Sequence, residues 1–307
     1  MTLQQMEYVL AVDKYRHFQQ AAESCGITQP TLSALLVKLE DELGVKLFER
    51  SSKYVRPTAI GEKVVRQAQK AVSEARRIKE MVGDEKGMVS GSLRLSVGPT
   101  IAPYVVPSVI GIFSTDYESV DLSIDEMKVN LMQSELRKGE IDAAIAISGN
   151  AASGIFEIPL YKEPFYVYLS SCCSQHNKDF RLEDLDLQCM WVMKEAQCFR
   201  DSAFSFCKGK ELGHQVYQAG SIDTLVRIVD LNGGYTIIPE MHLPFLTSEQ
   251  MENVRPIVGD YISFRNVSLY IREDEVRQRL IQTVIDVVKQ IVPESMIDNF
   301  VKRPIVL

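Results

Sequence analysis

Three apolar stripes at helical spacing, crowded into residues 3–43 around a single glycine, leave this stretch few folds besides a compact helical unit. Leu3, Met6, Val9, Leu10 and Val12 recur on one helix face. A second helix spans about Phe18 to Cys25, and Ala21 and Ala22 allow close packing. Gly26 suits the tight turn that follows. Thr28 stands where a helix cap is wanted, and Pro30 falls in the first turn, where a missing N–H costs nothing. Leu32, Leu35, Leu36, Leu39 and Leu43 form the apolar face of a third helix. Gln29, Ser33 and Val37 fall on another face, flanked by Thr31 and Lys38. The spacing predicts a helix-turn-helix whose second helix presents small polar side chains outward, residue types that hydrogen-bond base edges or phosphates in a major groove.

Lys46 to Pro57 reads as a short hairpin or wing, with Lys46, Arg50, Lys53 and Arg56 spaced to meet backbone phosphates. Alone, it would be an ordinary solvated loop; its place directly after a helix-turn-helix favours the wing. Thr58 is placed to cap a long helix running to about Asp84. Val64, Ala68, Ala71, Ala75, Ile78 and Val82 are spaced 4, 3, 4, 3, 4 along it, a heptad seam. Lys63, Arg66, Lys70, Arg76, Arg77, Lys79 and Glu80 occupy its other faces, which suits two helices pairing in a dimer better than one helix lying on its own domain. The run from Gly83 to Ser92 is rich in Gly and Ser and reads as a hinge.

The charge is uneven. Of 307 residues, the first 86 carry 14 Lys+Arg and 12 Asp+Glu, net +2, whereas the remainder carries 20 and 29, net −9. A net charge of −7 argues against a nonspecific nucleic-acid coat, so contacts to double-stranded DNA must come from a local basic cluster. The length suggests two or three domains. No apolar run approaches a membrane span, and the N-terminus shows no basic-then-apolar leader, so a cytoplasmic protein with no membrane partner is expected. Thiols there are kept reduced. Six cysteines (Cys25, Cys172, Cys173, Cys189, Cys198, Cys207) in so long a chain are not a disulfide framework, and any pair that oxidises should do so transiently. No cofactor and no metal site is expected.

Beyond the hinge, Leu93, Leu95 and Val97 alternate as a strand. Strands recur at Val120–Ile124, Ile141–Ile147 and Phe165–Ser170, with helical patterns between the first three, an α/β organisation with parallel crossovers. A second unit begins near Phe165, with a strand Met190–Lys194, a helix Asp223–Leu231 and a strand Tyr235–Pro239. Val267–Tyr270 and a helix Val276–Ile291 return to the first unit. Ligands in such folds bind beyond strand ends near helix N-termini. Gly98-Pro99-Thr100, Gln197–Arg200 and Ser221–Thr224 are placed that way.

Cys198 follows Gln197 at the entrance to a helix, beside Arg200 and Asp201. That setting lowers a thiol pKa and favours thiolate. A thiolate attacks peroxide to give a sulfenic acid, which a second thiol can condense with. Cys207 is the obvious candidate. A continuous helix between them would hold the two ~13 Å apart, whereas a disulfide needs Cα atoms within ~7 Å, so oxidation would force local refolding. Composition alone favours the plainer reading, that these cysteines are small buried hydrophobes.

The runs Phe18–Ser33 and Lys38–Arg50 resemble the DNA-binding head of LysR-type transcriptional regulators. Cys198-Phe199-Arg200-Asp201, Phe206-Cys207, Tyr15–Phe18, Gly98–Pro107 and Ile158–Pro164 resemble the peroxide-responsive members of that family. The resemblance implies an all-α winged helix-turn-helix (1–58), a linker helix and hinge (59–90), and an α/β effector domain (91–307) of two Rossmann-like subdomains, similar to periplasmic solute-binding proteins. Subdomain I would comprise about 91–162 and 267–307, and subdomain II about 163–266. It further implies a dimer or tetramer, RNA polymerase as a partner, and no enzyme activity. By resemblance Cys198 is the peroxidatic cysteine and Cys207 the resolving one, with Thr100, Arg200 and Asp201 binding or polarising peroxide; Gln197 and Ser221 complete the cleft set. Gln29, Pro30, Thr31, Ser33, Lys38, Arg50, Lys53 and Arg56 form the DNA set. Two positions depart from the pattern: Gln197 replaces a usual histidine, and Val129 a common threonine. Both remove polar help for peroxide. The alternative is a regulator that binds a small metabolite in the cleft, with structural thiols.

Overall fold

A computed structural model describes residues 1–50, 55–85, 89–149, 151–170, 180–181, 189–193, 216–217, 221–258 and 264–297. The chain forms two compact units, Met1–Lys86 and Gly87–Leu307.

In the first unit, α1 (Leu3–Tyr15) opens on a capping box in which the Thr2 hydroxyl accepts the Gln5 N–H and the Gln5 side chain accepts the Thr2 N–H. Helices α2 (Phe18–Ser24) and α3 (Gln29–Leu43) follow. Gly26 turns the chain between them at φ 66°, a conformation costly for other residues. Thr28 stands at the N-cap of α3, but its hydroxyl bonds the Thr31 hydroxyl at 2.8 Å rather than a backbone N–H. Leu32, Leu36 and Leu39 bury fully against Tyr8, Val9, Val12, Ala21 and Ala22, the core the periodicity implied. Strands β1 (Phe48–Arg50) and β2 (Val55–Pro57) pair antiparallel, with Glu49 opposite Arg56. Buried Glu40 holds this hairpin to α3: it accepts the N–H groups of Leu47 (2.9 Å) and Phe48 (3.3 Å) and the Lys46 ammonium (3.0 Å).

Helix α4 (Ala59–Glu85) begins where the Thr58 hydroxyl accepts the Gly61 N–H at 3.0 Å and donates to the Lys46 carbonyl at 2.7 Å. Gly61 allows this approach: a Cβ there would lie 1.9 Å from the Leu47 carbonyl oxygen. Val65, Ala68 and Val72 are buried, whereas Ile78 is 62% and Val82 47% exposed. Of the seam residues themselves, Ala68 is buried and Val64 packs against the first unit's core, whereas Ile78 and Val82 at the far end are exposed; Val65 and Val72 lie beside the seam.

The second unit is built on a mixed sheet. Strands β3 (Gly91–Val97), β4 (Val120–Glu126) and β5 (Ala143–Ile147) are joined through α5 (Ala102–Asp116) and α6 (Val129–Lys138), with β3 parallel to both neighbours. Strand β6 runs unbroken over Ile155–Leu169. The short strands β7 (Phe180–Arg181), β8 (Val192–Met193) and β9 (Val216–Tyr217) come next, then α7 (Ile222–Asn232) and β10 (Tyr235–Pro239). A 3-10 helix (Glu240–Phe245), α8 (Ser248–Met251), β11 (Val254–Val258), β12 (Phe264–Arg272) and α9 (Gln278–Ile291) complete the unit. The sheet order is β4-β3-β5-β12-β6-β11-β7, with β10 also on β6.

Strand β6 joins the halves. Its first part pairs with β12 and its last five residues with β10 and β11. Only the last part, Phe165 onward, reads as strand in the sequence. The rest is masked by Pro159 and Pro164 and by a bulge opposite Val267/Ser268 that breaks the two-residue period. Of the strand expected over Met190–Lys194, the described residues show Val192–Met193, with Met190 making one isolated bridge to Tyr235; Lys194 lies outside the described residues. The closing segment returns to the first half as expected. Arg277, ahead of α9, donates to Asp142 at 2.9 Å and to the Ser92 carbonyl at 2.8 Å, while Arg94 grips the same carboxylate at 3.0 and 3.1 Å.

Candidate nucleic-acid interface and effector cleft

The outer face of α3 carries Gln29, Pro30, Thr31 and Lys38, all exposed, with Ser33 half-buried. Gln29 Nε2 donates to the Ser33 hydroxyl at 3.3 Å, so a side chain suited to base edges is held by a neighbour one turn on. In the wing, Arg56 donates through Nε to Glu49 at 2.7 Å, both side chains being exposed. Such a pair contributes at most about 1 kcal/mol, so exchanging Glu49 for a phosphate sacrifices little. Lys46 is instead committed to Glu40. Sequence spacing makes these two cations equivalent; the structure separates them. Arg50 lies in β1, and Lys53 lies outside the described residues.

Thr100 lies in the turn between β3 and α5, which is closed by Ile101 and Ala102 N–H bonds to the Gly98 carbonyl at 2.8 and 2.9 Å. The guanidinium of Arg265 holds this turn from below. Its Nη1 donates to the Thr100 hydroxyl oxygen and its Nη2 to the Thr100 carbonyl, each at 3.1 Å. Arg265 Nε donates to Glu163 at 2.6 Å, and the other Glu163 oxygen accepts the Met241 N–H at 2.9 Å. Both charged side chains are 0% exposed. They face each other because Arg265 and Glu163 are cross-strand partners in β12 and β6. Burial works against the guanidinium charge; the Glu163 carboxylate, joined by Tyr161 and Tyr104, outweighs it, so Arg265 is raised above its usual value.

Nearby, the Tyr104 hydroxyl and His242 Nδ1 share a hydrogen bond at 3.0 Å. The buried Tyr161 hydroxyl has no partner among the described residues. Burial, and then the Glu163 charge, raise its pKa. Ser221 caps α7, its hydroxyl accepting the Thr224 N–H at 3.3 Å. Asp223, in the same first turn, acts electrostatically on both Tyr104 and His242. Helix α6 begins at Val129, whose side chain packs against the small core of Met132, Leu136, Ile141, Ile155 and Tyr270.

Of the cleft residues named from sequence, Thr100 and Ser221 are described; Gln197, Cys198, Arg200, Asp201 and Cys207 lie outside the described residues. Cys25 is half-buried and Cys189 exposed. Among the described residues, no cluster of His, Cys, Asp and Glu could hold a metal, and no helix is long and apolar enough to cross a membrane. Sequence reading missed Glu163, Arg265, Tyr104 and His242. Only strand register joins the first two, and no local pattern announces it.

The model of the LysR substrate binding domain matches residues 86–293, and that of the bacterial regulatory helix-turn-helix protein, lysR family, matches residues 3–62. The hydrogen peroxide-inducible genes activator of Dickeya chrysanthemi is 31% identical, covering 80% of this chain and 81% of that protein. The DNA-binding transcriptional dual regulator OxyR of Escherichia coli (strain K12) is 30% identical, with 80% and 81% covered. Among solved structures, a full-length OxyR variant from Pseudomonas aeruginosa superposes with a TM-score of 0.69 at 30% identity, covering 94% of this chain and 95% of that one. A hydrogen peroxide-bound OxyR mutant of Corynebacterium glutamicum gives 0.61 at 27%, covering 94% and 92%. Related to OxyR along most of its length, and a regulator rather than an enzyme, the chain belongs to the LysR family of DNA-binding transcription regulators.

Proposed function

We propose that this regulator senses hydrogen peroxide through a reversible thiol–disulfide switch between Cys198 and Cys207. The supporting observation is that both cysteines, with Arg200 and Asp201 beside the first, stand in a chain about 30% identical to proteins named hydrogen peroxide-inducible activators. The Cys198 thiolate attacks one peroxide oxygen, the O–O bond breaks, and hydroxide leaves, giving a sulfenic acid. Cys207 then attacks that sulfur, and water departs as the disulfide forms. Thr100, Gln197, Arg200, Asp201 and Ser221 serve as the peroxide-facing set. Thr100 suits the role because Arg265 fills one lone pair of its hydroxyl and leaves the proton for an acceptor.

At the other end, Gln29, Pro30, Thr31, Ser33 and Lys38 read the major groove, while Arg50, Lys53 and Arg56 hold phosphates. Residues 1–58 form the reader, 59–90 the linker and hinge, and 91–307 the effector domain. The exposed Ile78 and Val82 of α4 suit pairing of two linker helices, and two dimers would make the tetramer that contacts RNA polymerase in the cytoplasm. The test is mass spectrometry of thiol states across a peroxide titration. Loss of the Cys198 and Cys207 thiols together at modest excess is expected, and a Cys198 that resists would refute the switch. In that event the second reading, a small metabolite in the cleft, would stand; Val129 supports it, since its side chain serves a core rather than offering a hydroxyl.

A further inference from the structure

The 3-10 helix Glu240–Phe245 is tied to the far wall of the effector domain at two successive residues. Met241 donates its N–H to Glu163, which holds Arg265, which holds Thr100. His242 reaches α5 directly through Tyr104 at 3.0 Å. The strand before this helix, β10, belongs to the half of the sheet built on the end of β6, whereas α5 follows β3 in the other half. The Tyr104–His242 bond therefore spans the two halves, one turn from Thr100.

The imidazole is enclosed. His242 is 2% and Tyr104 7% exposed. Phe245 stacks on the imidazole with 6.1 Å between centroids and meets the Tyr104 ring edge-on at 5.6 Å. We propose that the Tyr104–His242 bond is a proton-sensitive latch between the two halves of the effector domain, closed while the imidazole is neutral and loosened when it takes up a proton. A neutral ring satisfies the bond in either tautomer, accepting the Tyr104 O–H or donating to its oxygen. A protonated ring keeps only the arrangement in which Nδ1–H donates to the Tyr104 oxygen, and it must hold a full charge in an enclosure where His242 is 2% exposed, which favours opening to water.

The charges around the pair decide the direction. Asp223 on α7 favours the protonated ring. Glu163 on β6 is committed to Arg265 on β12 and the Met241 N–H, and Glu240, on the same 3-10 helix, bonds Tyr166. Burial outweighs Asp223 and holds His242 below its ordinary value. A folded value below the unfolded one means the latch contributes fully above the unfolded pKa, and the contribution is lost as pH falls through the folded value. Acid thus loosens the wall that carries Thr100. This input is independent of the thiol chemistry proposed above.

The experiment is hydrogen–deuterium exchange of the full chain at about pH 7.5 and about pH 5.5, corrected for intrinsic rates, beside a His242→Gln variant. Glutamine can still bond Tyr104 but cannot take a proton. Amides of residues 237–247 and 101–106 should exchange about tenfold faster at the lower pH in the parent, a loss of about 1.4 kcal/mol, and show no such change in His242→Gln. Equal acceleration in both proteins, or none in the parent, overturns the latch. If the variant does not fold, histidine-ring NMR of the parent decides, with His242 assigned through its contacts to Tyr104 and Phe245. A midpoint below ~6.5 supports the latch, and one at or above it overturns it.

Discussion

Replacing Glu163 by glutamine preserves shape and removes one charge. The amide oxygen still accepts the Met241 N–H, but the Arg265 guanidinium, 0% exposed, loses its counter-ion. Breaking a buried ion pair from one side destabilises by about 3–5 kcal/mol, because the remaining charge stays desolvated. The effector unit should therefore lose about 3 kcal/mol or more, a large part of the roughly 5–15 kcal/mol that holds a domain folded. Adding Arg265→Met removes the stranded charge, and the double variant should recover at least half the loss. Residual destabilisation reflects the Thr100 oxygens that Arg265 no longer bonds. Urea titration followed by fluorescence measures this directly, since the one tryptophan, Trp191, lies in this unit and donates to the Gly233 carbonyl at 2.8 Å. A Glu163→Gln protein within about 1 kcal/mol of the parent, or a double variant less stable than the single one, would refute the claim that Glu163 neutralises a desolvated Arg265.

Gly61→Ala should destabilise the first unit by about 1–3 kcal/mol, since the new methyl meets the backbone oxygen of Leu47; a thermal melt of the isolated first-unit transition checks it, and no shift would count against the close approach. Asp142 is lowered below its ordinary value: burial pushes it up, and the Arg94 hydrogen bond with the charges of Arg277 and Arg94 outweighs that. Its stabilisation is therefore present above the unfolded value and lost as pH falls through the lower folded one, so Asp142→Asn should flatten the acid limb of the stability curve, which acid titration of both proteins would reveal. Arg50→Ala should weaken binding across DNA sequences alike and reduce the salt slope by about 1; equal slopes for variant and parent would remove Arg50 from the phosphate set. Cys198→Ser should abolish the peroxide response and leave DNA binding intact, and a footprint that still shifts with peroxide would contradict the switch.

What could be read in advance follows the range of the signal. Helices α1 to α3 are legible because a stripe at helical spacing is written within fifteen residues, and Leu32, Leu36 and Leu39 bury as that stripe requires. Strand β10 is legible for the same reason at a period of two. Strand β6 is half hidden: Pro159 and Pro164 remove donors, and the bulge shifts the inward set by one, so Leu160 and Tyr161 are both buried. Glu40 shows the opposite failure. An acidic residue near the end of a helix reads as solvated surface, yet it is 2% exposed, because the turn into β1 leaves two N–H groups needing an acceptor.

The cleft lies at the far end of that range. Thr100 is legible as the residue after a strand, but the geometry that fixes it comes from Arg265, 165 positions away, held by Glu163, 102 positions from Arg265. Neither has a periodic neighbour, and in isolation each is a charged residue in a strand. Two such residues can be buried only if register places them opposite one another, since either alone would leave an unpaired charge. The register of β6 and β12 places the two opposite one another, and Arg265 then reaches the Thr100 turn. A conservative change at Glu163 thus reaches the Thr100 turn without touching it, and both Arg265 and the Met241–His242 link to α5 are exposed to the same change.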